Sequence, residues 1–159
     1  MARGTLVKGT IVSVCATPQN QDLTQAEFEA LDWVEICCPN SMPTFSEEAE
    51  IVSEFCISGE EVAAVGASTG AETEITVFYQ AECEGQDILR NAYGGTSALA
   101  FKKEYNDSPN PATTTNTVIY TRALVTSWGD NDGGVNDFIL NTYGLKIAQP
   151  PILVKPEAI

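Results

Sequence analysis

Apolar and polar residues alternate with a period of two over much of this chain. The clearest run is Thr73 to Tyr79, where Thr73, Ile75, Val77 and Tyr79 fall on one side and Glu74, Thr76 and Phe78 on the other. That is the pattern of a strand with one face against a core. Thr5 to Cys15, Trp33 to Cys38, Ala98 to Tyr105, Thr117 to Trp128 and Val135 to Ile147 are similarly rich in β-branched or aromatic residues and predict further strands. The fold class expected is mainly β, an antiparallel sandwich or barrel in a single domain over 1–159. Trp33 and Trp128 lie within alternating strands, which predicts their burial.

Two stretches follow a helical period instead. Within Gly85 to Tyr93, Ile88, Leu89, Ala92 and Tyr93 share one face, and Gly94 and Gly95 supply a stop, so one short packed helix is predicted there. Thr24 stands three residues before Glu27, the spacing of a capping box, and Phe28 and Leu31 add an apolar stripe, enough for a helical turn or two.

The intervening segments separate into turns and excursions. Asp130 to Gly134 between two alternating runs predicts a hairpin turn, because Asp and Gly tolerate positive φ. Asn106 to Asn116, with Pro109 and Pro111, reads as a loop. Pro39 to Thr69 reads as a long acidic loop, and such a length in a small domain points to a functional excursion or a segment ordered by a partner. The tail from 148 to 159 is apolar but rich in proline, so it is excluded from a central strand. It is expected to pack along an edge or to reach a neighbour, and Ile152, Leu153 and Val154 are its candidate contacts with an adjacent subunit.

Composition narrows the functional classes. In 159 residues there are 22 acids, 8 bases and no histidine, for a formal charge of -14. Sequence-specific nucleic-acid binding and attachment to anionic membranes both need cations that this chain lacks. No Lys or Arg occurs between Lys8 and Arg90, so the surface of that half is anionic, either for solubility or as a functional field. Residues 1–20 hold Arg3 and Lys8 but no continuous apolar core of a secretory signal, and no run approaches the roughly 18 apolar residues of a membrane span. Cys15, Cys37, Cys38, Cys56 and Cys83 have no disulfide-framework spacing and are expected to be reduced thiols that behave as small buried hydrophobes.

Catalytic chemistry finds little to stand on. Without histidine, neither a Ser-His-Asp nor a Cys-His site can be built within one chain. Gly94, Gly95, Gly133 and Gly134 form no phosphate-binding motif, and the cysteines miss the CxxC spacing of a zinc site. Asp130, Asp132, Asn136 and Asp137 resemble a calcium loop in spacing but lack its glycine and its closing glutamate. No catalytic residue, cofactor or metal is expected.

The order of elements carries more. A strand "EITVFYQ" (Glu74 to Gln80) is followed by a helix "GQDILRNAY" (Gly85 to Tyr93) and a strand "ALAFKKEY" (Ala98 to Tyr105). After a proline-rich loop comes "YTRALVTSWGDNDGGVNDFILNTYGLKI" (Tyr120 to Ile147). This succession resembles the tail tube, or major tail, proteins of siphophages, a family with lambda-like members and relatives in contractile tails and type VI secretion. Gln86 and Asn136 match that pattern by type and place.

The resemblance implies a structural, non-enzymatic virion subunit of the tail, assembled in the host cytoplasm. It implies hexameric rings whose strands join into one inner barrel, stacked by the long loop and the terminal arm, with tape measure and tail terminator proteins as further partners. Because no decoration domain follows Ile147, a smooth tube is expected. DNA would pass through the lumen without specific binding, and Glu72, Glu74 and Thr76, opposite the core face of their strand, are the candidate lumen-facing residues. Alternation alone allows that side to be the channel, an intersubunit surface or the outer wall. The rival readings are a head decoration protein, a tail terminator or a carbohydrate-binding β-sandwich.

Overall fold

The computed structural model describes residues 4–159; Met1 to Arg3, the start of the stretch considered above for targeting, lie outside the described residues. In chain order the elements are β1 (Ile11–Val14), α1 (Gln25–Glu29), β2 (Val34–Glu35), β3 (Pro39–Ser41), β4 (Glu47–Phe55), β5 (Glu61–Gly70) and β6 (Glu72–Phe78). Then come α2 (Glu84–Ala92), β7 (Leu99–Glu104), β8 (Val118–Asn131), β9 (Leu140–Ile147) and β10 (Ile152–Val154). Every strand pairing is antiparallel. The main sheet runs β2-β1-β7-β8-β9-β6-β3, with β10 beside β8, while among the described residues β4 and β5 pair only with each other.

The sheet closes on itself because of one short connection. Laid flat, seven strands would hold β2 and β3 about 29 Å apart at the usual strand spacing. Yet only Ile36, Cys37 and Cys38 separate those two edge strands in the chain, a reach of at most about 14 Å. The sheet must therefore curl into an almost closed barrel. Cys38 makes the corner with φ at 46°.

Helix α2 seals the curled sheet. Gly85 packs so closely on the corner that an added Cβ would lie 2.4 Å from the Glu35 carbonyl oxygen, so only glycine fits. Gln86 is completely buried, and its Nε2 donates to the carbonyls of Cys37 (3.2 Å) and Phe78 (2.9 Å) while its Oε1 accepts from the Gln80 N–H. One side chain thus ties together the two sheet ends and the helix.

The enclosed core is made by the alternation seen in the sequence. Val12, Val14, Ile36, Ile75, Val77, Leu89, Leu99, Phe101, Ala123, Val125, Tyr143, Leu145 and Ile147 form one buried cluster. A second, smaller cluster of Cys15, Phe28, Ala100 and Tyr120 lies on the opposite face of β7 and β8, under α1 and β10. There Phe28 stacks on Tyr120 with ring centroids 5.3 Å apart. The capping box is present, with Glu27 N–H donating to Thr24 Oγ1 and the Thr24 N–H to Glu27 Oε2.

Several expectations need correction. The N-terminal strand begins only at Ile11, because the chain turns through Gly9 (φ 85°) with Thr10 N–H bonded to the Val7 carbonyl. The strand expected from Trp33 shrinks to Val34–Glu35, since the crossing to β3 consumes the rest. The strand expected from Val135 starts at Leu140, because Asp137 bonds back to Gly134 and holds the turn open, which leaves Val135 and Phe138 exposed. Trp33 is half-buried and donates from Nε1 to the Phe28 carbonyl, whereas Trp128 is largely exposed beyond the bulge between Val125 and Ser127. Cys37 and Cys83 are not reduced thiols but form a disulfide, Cα atoms 6.1 Å apart, which the corner at Cys38 brings about by aiming Cys37 at the start of α2. Of the remaining thiols Cys15 is buried, but Cys38 and Cys56 are exposed.

Candidate self-assembly surface

The segment expected to be a long loop, Pro39 to Thr69, is instead mostly strand. β3 and β4 on one side and β5 and β6 on the other form a single ribbon with an interruption at residues 42–46. The lower half of the ribbon is the edge of the main sheet. Its upper half, β4 with β5, continues as a free hairpin about 30 Å long, closed by a turn in which Cys56 N–H bonds to the Glu60 carbonyl and Gly59 takes φ 90°. The sequence hid these strands because their alternation is not apolar against polar.

Residues directly opposed across the hairpin share a face. One face carries Ile51 opposite Val65, Ser53 opposite Ala63 and Phe55 opposite Glu61; the other carries Val52 opposite Ala64 and Glu54 opposite Val62. Among the described residues nothing covers either face: Ile51 is 74% exposed, Val65 76%, Phe55 75%, and Ile57 in the turn is fully open to solvent. An isolated two-stranded hairpin is marginal in water, and here both faces and both outer edges await partners. Such a feature is stable and soluble in the long term only when covered.

The predicted lumen residues lie together on the outer face of β6. Glu72 and Glu74 are exposed and Thr76 is half-buried, its hydroxyl 3.1 Å from that of Thr142. Across the sheet this face continues through Thr142, Gly144 and Lys146 of β9 to Ser127 of β8. This stretch carries small and polar side chains, and the Lys146 Nζ donates to the Gly70 carbonyl. Among the described residues no helix covers it, in contrast to the apolar outer face under α1.

The terminal arm packs along its own sheet, one of the two places expected for it. Ile152, Leu153 and Val154 pair with Tyr120, Ile119 and Val118 of the chain's own β8, and Ile152 and Val154 pack on the Phe28 cluster. The proline barrier is satisfied because β10 fills the length of β8 that β9 leaves unpaired. A buried polar network, not anticipated from sequence, locks the arm in place. Gln149 bonds in both directions to the backbone of Leu23, its carbonyl accepts from Thr121, and Arg122 donates to Gln149 Oε1, the Gln19 carbonyl and Asp22. Only Leu153 of the three arm residues remains mostly exposed.

Sequence reasoning also missed a recess at the root of the ribbon. Thr5, Leu6, Val7, Thr10, Asn40, Ser41, Met42, Pro43, Thr44, Lys103 and Tyr105 enclose about 650 Å³. Lys103, 9% exposed, extends from β7 with its Nζ 2.6 Å from the Pro43 carbonyl oxygen and 5.0 Å from the Phe45 ring centroid. Burial pushes its pKa down from the ordinary lysine value, because the charged form has lost water without gaining a carboxylate.

No known protein-family model and no curated protein sequence matches the chain. Solved structures do. A chain of the SPP1 tail tube superposes with a TM-score of 0.63 at 13% identity, covering 96% of this chain and 80% of that one. The chain has the tail-tube fold. The same fold recurs in a chain of the anti-feeding prophage baseplate, with a TM-score of 0.66, 11% identity and 98% of both chains covered. It also recurs in a chain of the sheath-tube complex of an extracellular contractile injection system, with a TM-score of 0.61 and 16% identity over 98% and 93%. The tail-tube fold thus spans nearly the whole chain, the free hairpin included, at identities that preserve architecture and little else.

Proposed function

We propose that this chain is a structural, non-enzymatic subunit of a phage or phage-like tail tube. Copies join edge to edge into rings, hexameric by analogy, and the rings stack into a hollow tube. The observation that carries this reading is the free hairpin β4–β5, two strands with both faces and both edges uncovered, on a tail-tube fold. Pairing of such edges between copies converts an aggregation hazard into assembly. Subunits of charge -14 repel, so assembly depends on apolar burial at the hairpin and strengthens with salt. Tail terminator and tape measure proteins are the other partners this reading calls for, and the virion tail is its location.

The face of Glu72, Glu74 and Thr76 is the surface best suited to line the lumen. It is uncovered and carries two exposed carboxylates, which repel passing phosphates where lysines or arginines would bind them with release of the DNA's own counterions. Electron microscopy of the purified protein tests assembly directly: hollow tubes are expected, and monomers alone across salt and concentration would refute it. The double variant E72K/E74K tests this face. Tubes should still form, and DNA transit through them should slow at low salt and recover at high salt; an unchanged rate at low salt would remove these glutamates from the DNA path.

A further inference from the structure

Lys103 is anomalous in its setting. It is buried in a chain with a large excess of acid, yet among the described residues its ammonium has one carbonyl partner and no carboxylate, the two ion pairs being Arg90–Asp87 and Arg122–Asp22. A buried ammonium with unfilled donors is costly unless an anion completes it. The recess around it is open and apolar-walled by Leu6, Val7, Met42, Pro43 and Tyr105. Its shape and charge call for an apolar group with a carboxylate beside it.

The tip of the hairpin offers that combination. Phe55 and Glu61 are directly opposed across β4 and β5 and share a face, with Ile57 just beyond in the turn. No basic residue lies anywhere on the hairpin. The chain cannot satisfy itself, because the nine residues of β4 carry the tip about 30 Å from the root where the recess lies.

We propose that the Lys103 recess is the receptor for the hairpin tip of a second copy, seating Phe55 against its apolar wall and Glu61 on the Lys103 ammonium. This rests on the tail-tube reading and specifies its stacking contact. Because tip and recess are different parts of one surface, the contact is head-to-tail, the kind that can propagate from copy to copy along a stack. It also explains why a lysine is kept where burial disfavours its charge.

The test uses the full chain. K103E and E61K should each raise the protein concentration needed for tube formation at least about tenfold, as loss of a desolvated charge pair does, and the double swap K103E/E61K should restore much of it. Independently, in a C38S background that removes the exposed thiol two residues away, N40C places a thiol at the rim of the recess, and in assembled protein a short bis-maleimide should join it to the native Cys56 of the tip, giving a ladder of covalent oligomers that unassembled C38S/N40C and assembled C38S alone do not give. Tubes forming at the parent concentration in both single variants, or no covalent link between the new thiol and Cys56 in assembled C38S/N40C, would overturn the contact while leaving the tail-tube reading intact. If K103E fails to fold, the crosslink decides. A parent chain that never assembles would overturn both.

Discussion

The two halves of the ribbon are built from similar residues and meet opposite fates. In β6, Ile75 and Val77 are completely buried, while Glu72 and Glu74 on the reverse face are exposed. In β4 and β5, Ile51 and Val65 oppose each other just as closely, yet three-quarters of each is exposed. β6 has β9 beside it and α2 within the curl, so its alternation is resolved inside one chain. The hairpin has no such neighbour, and both of its faces carry a mixture of apolar and acidic groups. Mixed faces of this kind are what the proposed contacts between copies would cover.

Substitutions that pair a site in the barrel with one in the hairpin sharpen this contrast. F101A, which empties the core, should cost about 3–5 kcal/mol of monomer stability in chemical denaturation. F55A should change monomer stability by less than about 0.5 kcal/mol yet abolish or strongly weaken tube formation. Equal stability losses would mean that the hairpin is packed in the monomer after all. A smaller effect is expected from Q86L, which strands the carbonyls of Cys37 and Phe78 and the Gln80 N–H: about 1–3 kcal/mol in denaturation, with accelerated hydrogen exchange at the 36–38 corner. An unperturbed corner in Q86L would show that the disulfide and Gly85 suffice to hold the sheet closed.

Much of the barrel was legible because its chemistry is local. Period-two runs gave β6, β7 and β8 nearly to their ends, the Thr24–Glu27 spacing gave α1, and the stripe of Ile88, Leu89 and Ala92 gave α2. What failed did so for long-range reasons. The hairpin lacks a one-sided stripe, since the described residues cover neither of its faces, and that the arm would find its edge on β8, where β9 stops short, is something no local pattern states. Cys37 and Cys83 meet only through the corner at Cys38. Of the candidate sites, Glu72, Glu74 and Thr76 lie on the face of β6 turned away from the core, the side that alternation gives them, whereas nothing in "FKKEY" marks Lys103 until the curl of the sheet encloses it.

The central claim is that the hairpin belongs to the assembly and the barrel to the monomer. Replacing residues 48–69 with a two-glycine turn, then measuring sedimentation and thermal melting of the purified chain beside the parent, separates the two most directly. The account predicts a folded monomer that melts within a few degrees of the unassembled parent and forms no rings or tubes at any salt concentration. Tubes of unchanged length and yield from the shortened chain, or a shortened chain that does not fold, would contradict it.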